Sequence, residues 1–335
     1  MVEQKLRTNL ELIHECDNFP YFHDDPLEYQ RHIQTYYHLR VSDEPATLGY
    51  LLPSVAQVFK GLESWDLDED DRVLTLTAGH DVETRSAAVA ATTAAMRQVG
   101  HFKVLQGWRD ELYPVFGKGG KHLFDVERSA ACLFGVITYG VHMTAYVRSK
   151  EDGKIKIWVP RRATNKQTYP GMLDNTVGGG LASGEQPFEA LVRECAEEAS
   201  IPEDLVRERA TAVAGVTYFY IRDHRAGGES GMMQPECQYV YDLELPEDFK
   251  LKPSDDEVQE FNLLTVEETQ AAMSRAEFKP NCALVLLDFF VRHGILNCEN
   301  EQDYFEITTR THRRLEFPMP RPPVTTANGT GLCGR

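Results

Sequence analysis

Apolar residues recur at two spacings along this chain, and the spacing changes near its middle. Leu6, Leu10 and Ile13 recur at helical intervals. Leu48 to Pro53 reads as a short strand, and Val55, Val58 and Phe59 read as the helix that it feeds. Leu62 to Thr77 alternates around an acidic turn, Asp66 to Asp71. Thr84 to Val99 is rich in alanine and free of glycine and proline, which predicts a helix. Gly117-Lys118-Gly119-Gly120 lacks the spacing of a phosphate loop and reads as a turn. The uncharged stretch between Arg128 and Arg148 is broken by polar and glycine positions, so it reads as two short buried strands joined by a turn. Val136 to Val147 and Ile155 to Val159 then read as buried strands separated by a hairpin at Asp152-Gly153.

Beyond them, Thr176 to Leu181 predicts a strand ending in glycines, and residues 187 to 199 a helix with Pro187 in its first turn. Ala212 to Arg222 and Gln238 to Leu245 read as strands on either side of a glycine-rich mobile loop, Ala226 to Pro235. Thr265 to Met273 and Ala283 to His293 read as closing helices, and the Pro-Thr-Gly tail from Pro318 reads as disordered.

Length and charge narrow the picture. A chain of 335 residues suggests two domains. Its net charge of −17, from 35 basic and 52 acidic residues, opposes a general affinity for nucleic acid or anionic membrane. It leaves room for a small phosphorylated substrate bridged by a metal. The seven cysteines form no C-x-x-C pair, and the N-terminus has no apolar signal segment. Both features fit a reducing, cytoplasmic setting.

The chemistry concentrates between Gly178 and Ile201. Glu194, Glu197 and Glu198 fall at i, i+3 and i+4, on one face of the predicted helix. Like charges so close need compensation, in part from Arg193. Clustered hard oxygens suit Mg2+ or Mn2+ rather than zinc. Phe188, Leu191, Val192 and Cys195 occupy the opposite face and suit packing on a sheet. The bland alternative for Glu-x-x-Glu-Glu alone is a solvated acidic face.

The wider pattern separates these readings. Gly179, Glu185, Arg193, Glu194, Glu197 and Glu198, at these spacings, resemble the box of the Nudix hydrolases. Cys195 replaces the usual aliphatic residue, and Ser200 replaces a glycine at the helix end. The resemblance implies an α/β/α sandwich with a mixed sheet at residues 129–297, preceded by a smaller α+β N-terminal domain at 1–128 and followed by an extension at 298–335. It implies Glu194, Glu197, Glu198 and the Gly178 carbonyl as metal ligands, with Glu257 or Glu260 completing the set. It makes Glu194 and Glu198 catalytic, with Glu194 the candidate base and Arg193 orienting them, and it leaves Glu185 a supporting role.

Ile157 to Arg162, Lys166 to Gly180 and Gly107 to Tyr113 further resemble the Nudix branch related to thiamine pyrophosphokinase. That implies a diphosphatase acting on thiamine diphosphate or its damaged oxo and oxy forms. Arg161, Arg162 and Lys166 are then candidates for phosphate contact, and Trp158, among other aromatics, for a wall against the ring. The alternatives are a pyrophosphatase of ADP-ribose, dinucleotides or nucleotide sugars, a prenyl diphosphate isomerase, and a non-catalytic binding module. The expected partner is a small diphosphate, with the protein a monomer or homodimer and neither nucleic acid nor membrane involved.

Overall fold

The computed structural model describes residues 5–254 and 256–321. Its strands are β1 Tyr37–Val41, β2 Glu44–Leu51, β3 Trp65–Asp68, β4 Val73–Leu76, β5 Leu112–Phe116, β6 His122–Glu127, β7 Thr138–Arg148, β8 Ile155–Arg162, β9 Val177–Gly180, β10 Thr211–Ile221, β11 Met233–Glu244 and β12 Val258–Thr265.

The first four strands form a sheet in the order β2-β1-β4-β3, and β1 and β4 run parallel. Leu39, Phe59, Leu74, Leu76 and Phe134 are among its buried core. The helix Val82–Val99 belongs to this unit. Asp81 caps its start, accepting from the Thr84 backbone, and Gly100 ends it in a left-handed conformation. β5 and β6 form a separate hairpin beside that helix.

The second sheet has the order β10-β11-β7-β8-β12. Its centre is a parallel pair, β7 with β11, and its other pairings are antiparallel. The far edge of β7 is shared. β9 takes Gly140 to Met143, and β8 takes Tyr146 to Arg148. Helices Pro187–Ala199 and Glu203–Arg209 flank one core, which contains Val141, Met143, Leu191, Cys195 and Leu243. Helix Pro280–Arg292 belongs to the other core, with Val216, Tyr218, Val240 and Leu284. This is a mixed sheet between helical layers, as the sequence implies. With both faces covered, β7 is buried from Thr138 to Val147, which explains its unbroken run of uncharged residues.

Several expectations change. The stretch after Arg128 holds a short helix, Ala131–Phe134, and one long strand rather than two short ones. Gly135 makes the turn at φ +62, and a Cβ there would lie 2.1 Å from the Tyr50 carbonyl oxygen. The first helix starts at Asn9, where Thr8 and Glu11 form a capping box, and leaves Leu6 exposed. The helix expected from Ala283 starts at Pro280. β11 begins at Met233, inside the expected loop. Pro235 fits there because only β10 pairs at that level, and pairing with β7 starts at Glu236. β12 went unread because an edge strand, exposed or half-buried along its length, shows no clean alternation.

The boundary at residue 128 also fails to separate the cores. Helix Asn9–Cys16 packs on Pro280–Arg292 and β10, whereas Ala131 to Phe134 belong to the first core. The extension is structural too. Arg313 is buried, pairs with Asp17 at 3.1 Å, and donates to the carbonyls of Phe19 and Pro20. The tail expected to be disordered lies, from residue 322, outside the described residues.

Candidate active site

A cavity of about 1470 Å³ opens where β7, β9 and the helix Pro187–Ala199 meet the segment Lys103 to Ser129 of the first unit. The glycines of β9 serve it by lacking side chains. A Cβ on Gly179 would lie 2.0 Å from Glu194 Oε1, and one on Gly180 would lie 2.1 Å from the Tyr113 hydroxyl. Extended backbone and a helix can therefore approach closely enough to share one wall. The helix buries Leu191, Val192 and Cys195 on the sheet and turns Glu194, Glu197 and Glu198 to the cavity. It ends at Ser200, which takes the left-handed conformation at φ +52.

One guanidinium organises the acids. Arg193 donates to both carboxylate oxygens of Glu185, at 3.0 and 3.3 Å, to Glu194 at 2.9 Å, and to Glu197 at 3.0 Å. Glu198 lies beyond its reach and accepts from the Gly178 backbone N–H at 3.2 Å. Burial pushes the Glu194 carboxyl up, against the opposing pull of Arg193. Burial also pushes Glu198 well above the usual carboxylate range, and the charges of Glu194 and Asp174 push it further.

Of the other expected residues, Arg162, Lys166 and Glu257 line the cavity. Arg162 is largely committed to protein. It pairs with Asp174 at 2.5 Å and donates to the carbonyls of Tyr169 and Thr168. Lys166 and Glu257 form a close ion pair, which holds the Glu257 carboxyl down despite its burial. Trp158 and Arg161 are not brought to the cavity. Trp158 is a core residue under the sheet. Arg161 follows Pro160 on the strand face opposite to Arg162, where it reaches the Gly171 carbonyl and Glu260. Glu260 likewise does not line the cavity. Cys16 and Cys132, to which the sequence assigns no role, do line it. Burial raises both thiols, so they stay protonated.

Sequence reasoning missed several cavity residues. Behind the cavity wall, Asp174 is half-buried against Arg162, and desolvation opposes its charge. Arg162 and Lys279 outweigh that and hold its carboxyl well below the usual range. His142 bonds Asn175 at 2.8 Å, and burial pushes its imidazole down. Glu236 and Gln238 sit on β11, Glu236 just past the expected loop and Gln238 at the start of the expected strand. The alternation Gln234, Glu236, Gln238 was the available signal.

Among the described residues, no group of three or more His, Cys, Asp or Glu side chains stands as close together as a bound metal would draw them. Arg193 takes the place of such an ion at Glu194 and Glu197. The donor chemistry still fits a hard divalent cation. Two half-buried carboxylates face one cavity, each destabilised as an anion, and Glu198 is offset only in part, by the Gly178 backbone N–H and the charge of Lys166.

Residues 138–282 match the family model described as NUDIX domain, and residues 23–138 match a domain of unknown function, DUF4743. The chain is 40% identical to the uncharacterized protein YJR142W of Saccharomyces cerevisiae, over 76% of this chain and 75% of that one. It is 38% identical to Nudix hydrolase 20, chloroplastic, of Arabidopsis thaliana, over 69% of this chain and 59% of the plant protein. It is 31% identical to the uncharacterized Nudix hydrolase YPO2781/y1614 of Yersinia pestis, over 50% of this chain and 79% of that protein.

Proposed function

We propose, from the premise that this chain belongs to the Nudix hydrolases and acts on phosphoric anhydride bonds, that it is a metal-dependent diphosphatase of thiamine diphosphate or its oxo and oxy analogues. The products are the monophosphate ester and inorganic phosphate. The observation that carries the metal dependence is the half-buried pair Glu194 and Glu198 on the cavity wall. Glu194, Glu197, Glu198 and the Gly178 carbonyl would hold Mg2+ or Mn2+. When bound, such an ion supplies charge neutralisation at the diphosphate oxygens.

The chain's own residues do the rest. Glu194 takes the proton of the attacking water, and its raised pKa brings it nearer the working pH. Arg193 fixes the orientation of Glu194, Glu197 and Glu185. Lys166 and Arg162 give the acidic cavity positive charge for the phosphate end. The substrate assignment rests on the sequence resemblance of Ile157 to Arg162 and Lys166 to Gly180. A second reading, a pyrophosphatase of ADP-ribose or dinucleotides, is favoured by the cavity volume of about 1470 Å³, which would admit a larger ligand.

Product analysis with magnesium tests both readings. The panel is thiamine diphosphate, oxythiamine diphosphate, oxothiamine diphosphate, ADP-ribose and NADH. Fastest release of a monophosphate from a thiamine compound is expected, and preference for ADP-ribose or NADH replaces the first reading with the second. Glu198→Gln should lower kcat by about 100-fold or more. Near-normal turnover in that variant would remove Glu198 from the site.

A further inference from the structure

The cavity has a second polar end, away from the Nudix carboxylates, and its residues present hydrogen-bond acceptors. Glu236 accepts from the Tyr218 hydroxyl, from Gln234 Nε2, and from Gln238 Nε2 at 2.6 Å. Each of these donors is neutral. The nearby guanidinium of Arg222 is bonded to Gln234 Oε1 at 2.5 Å instead. Gln238 is 4% exposed, and its Oε1 is buried without a hydrogen-bond partner. The amide cannot be reversed to remove this vacancy, because its oxygen would then face the Glu236 carboxylate. Gly140 makes room for that oxygen, since a Cβ there would lie 2.4 Å from it. Glu236, Gln238 and Tyr218 all line the cavity.

Strand register sets the distance between the two ends. Glu236 pairs with Thr138, Gln238 with Gly140, and Gly178 with His142. Thr138 to His142 is four steps along β7, about 13 Å at ~3.3 Å per residue. Gly140 lies midway, about 7 Å from His142, so a ligand whose phosphates lie at Glu198 and Gly178 passes Gln238 and carries its other end to Glu236. A half-buried negative acceptor at Glu236 and an unmet neutral acceptor at Gln238, more than nine-tenths removed from water, call for a ligand that donates. Tyr218 and Tyr220 supply aromatic surface beside them.

We propose that this end of the cavity binds the N–H-bearing nitrogen heterocycle of the substrate, with Glu236 and Gln238 as its acceptors. The proposal rests on the diphosphatase reading for the position of the phosphates, but the recognition is separable from hydrolysis. Removing the charge of Glu236 weakens the ring contact and leaves the carboxylates of the helix in place.

Two measurements test it. In Glu236→Gln, KM for thiamine diphosphate, whose pyrimidine carries an amino donor, should rise about tenfold with kcat within about threefold, while hydrolysis of isopentenyl diphosphate, which has no N–H donor, keeps its wild-type rate. An unchanged KM, or equal losses on both compounds, overturns the assignment. Calorimetric titration of thiamine itself, which carries no phosphate, covers the case in which neither diphosphate is hydrolysed or the variant does not fold. Binding to wild type that persists in Glu198→Gln supports a ring site independent of the carboxylates. No binding to wild type, or loss of binding in Glu198→Gln, overturns it.

Discussion

At the scale of single residues, the site is held by shared charges: Arg193 serves three carboxylates, and two cations serve Asp174. Asp174 shows the consequence. Its carboxylate is half-buried between Arg162 and Cys282 and is kept ionised by Arg162 and Lys279. Asp174→Asn would leave the buried Arg162 guanidinium without its counter-charge, so it should cost about 3 kcal/mol at pH 7 in urea denaturation. The pH dependence follows from the direction of the shift. A carboxyl held below its unfolded value stabilises the fold fully above that value, near pH 4, and the benefit fades as pH falls toward the folded value. The gap between variant and wild type should therefore narrow only below about pH 4. A gap that narrows between pH 7 and pH 5 would mean that Asp174 is not the group responsible. Glu194, Glu197, Glu198, Arg193 and Gly179 were legible as a constellation because their spacing is local to one helix and its leading strand. Arg161 was misplaced because adjacent strand residues point to opposite faces, and Trp158 because, four residues before Arg162 on the same face, it packs into the core short of the cavity.

At the scale of elements, the helix Pro187–Ala199 was readable to the residue, because Pro187 starts it and its apolar stripe has helical period. Its end is the weak point. Ser200 adopts φ +52, where a side chain is strained and glycine is not. Ser200→Gly should raise stability by roughly 1 kcal/mol in chemical denaturation with kcat unchanged. A destabilised variant would show that the serine side chain contributes more than its backbone strain takes away. Elements whose pattern is set by neighbours were harder to read. β12 at the sheet edge and the first turn of β11 were missed, because partial exposure and Pro235 mask the alternation.

At the scale of the molecule, the first unit closes the cavity. Glu229 accepts from the backbone N–H groups of Lys103 and Val104, at 2.5 and 3.1 Å, and so pins the glycine-rich loop to the roof. Helix Asn9–Cys16 lies in the second core, and the buried pair Asp17–Arg313 binds the chain's beginning to its end. With cores and ion pairs crossing the nominal boundary, calorimetry should show one cooperative unfolding transition, whereas two resolved transitions would mean that the units fold apart. The sequence alone determined the box, the acids on one helix face, the mixed α/β class and the presence of a second unit, since each depends on residues close in the chain. The tertiary structure alone decided which charges face the cavity, which are spent on protein, and that Glu236 and Gln238 line the same cavity as the carboxylates. Those relations are fixed by the register between β7, β9 and β11, and register is a property of paired strands that no single segment carries.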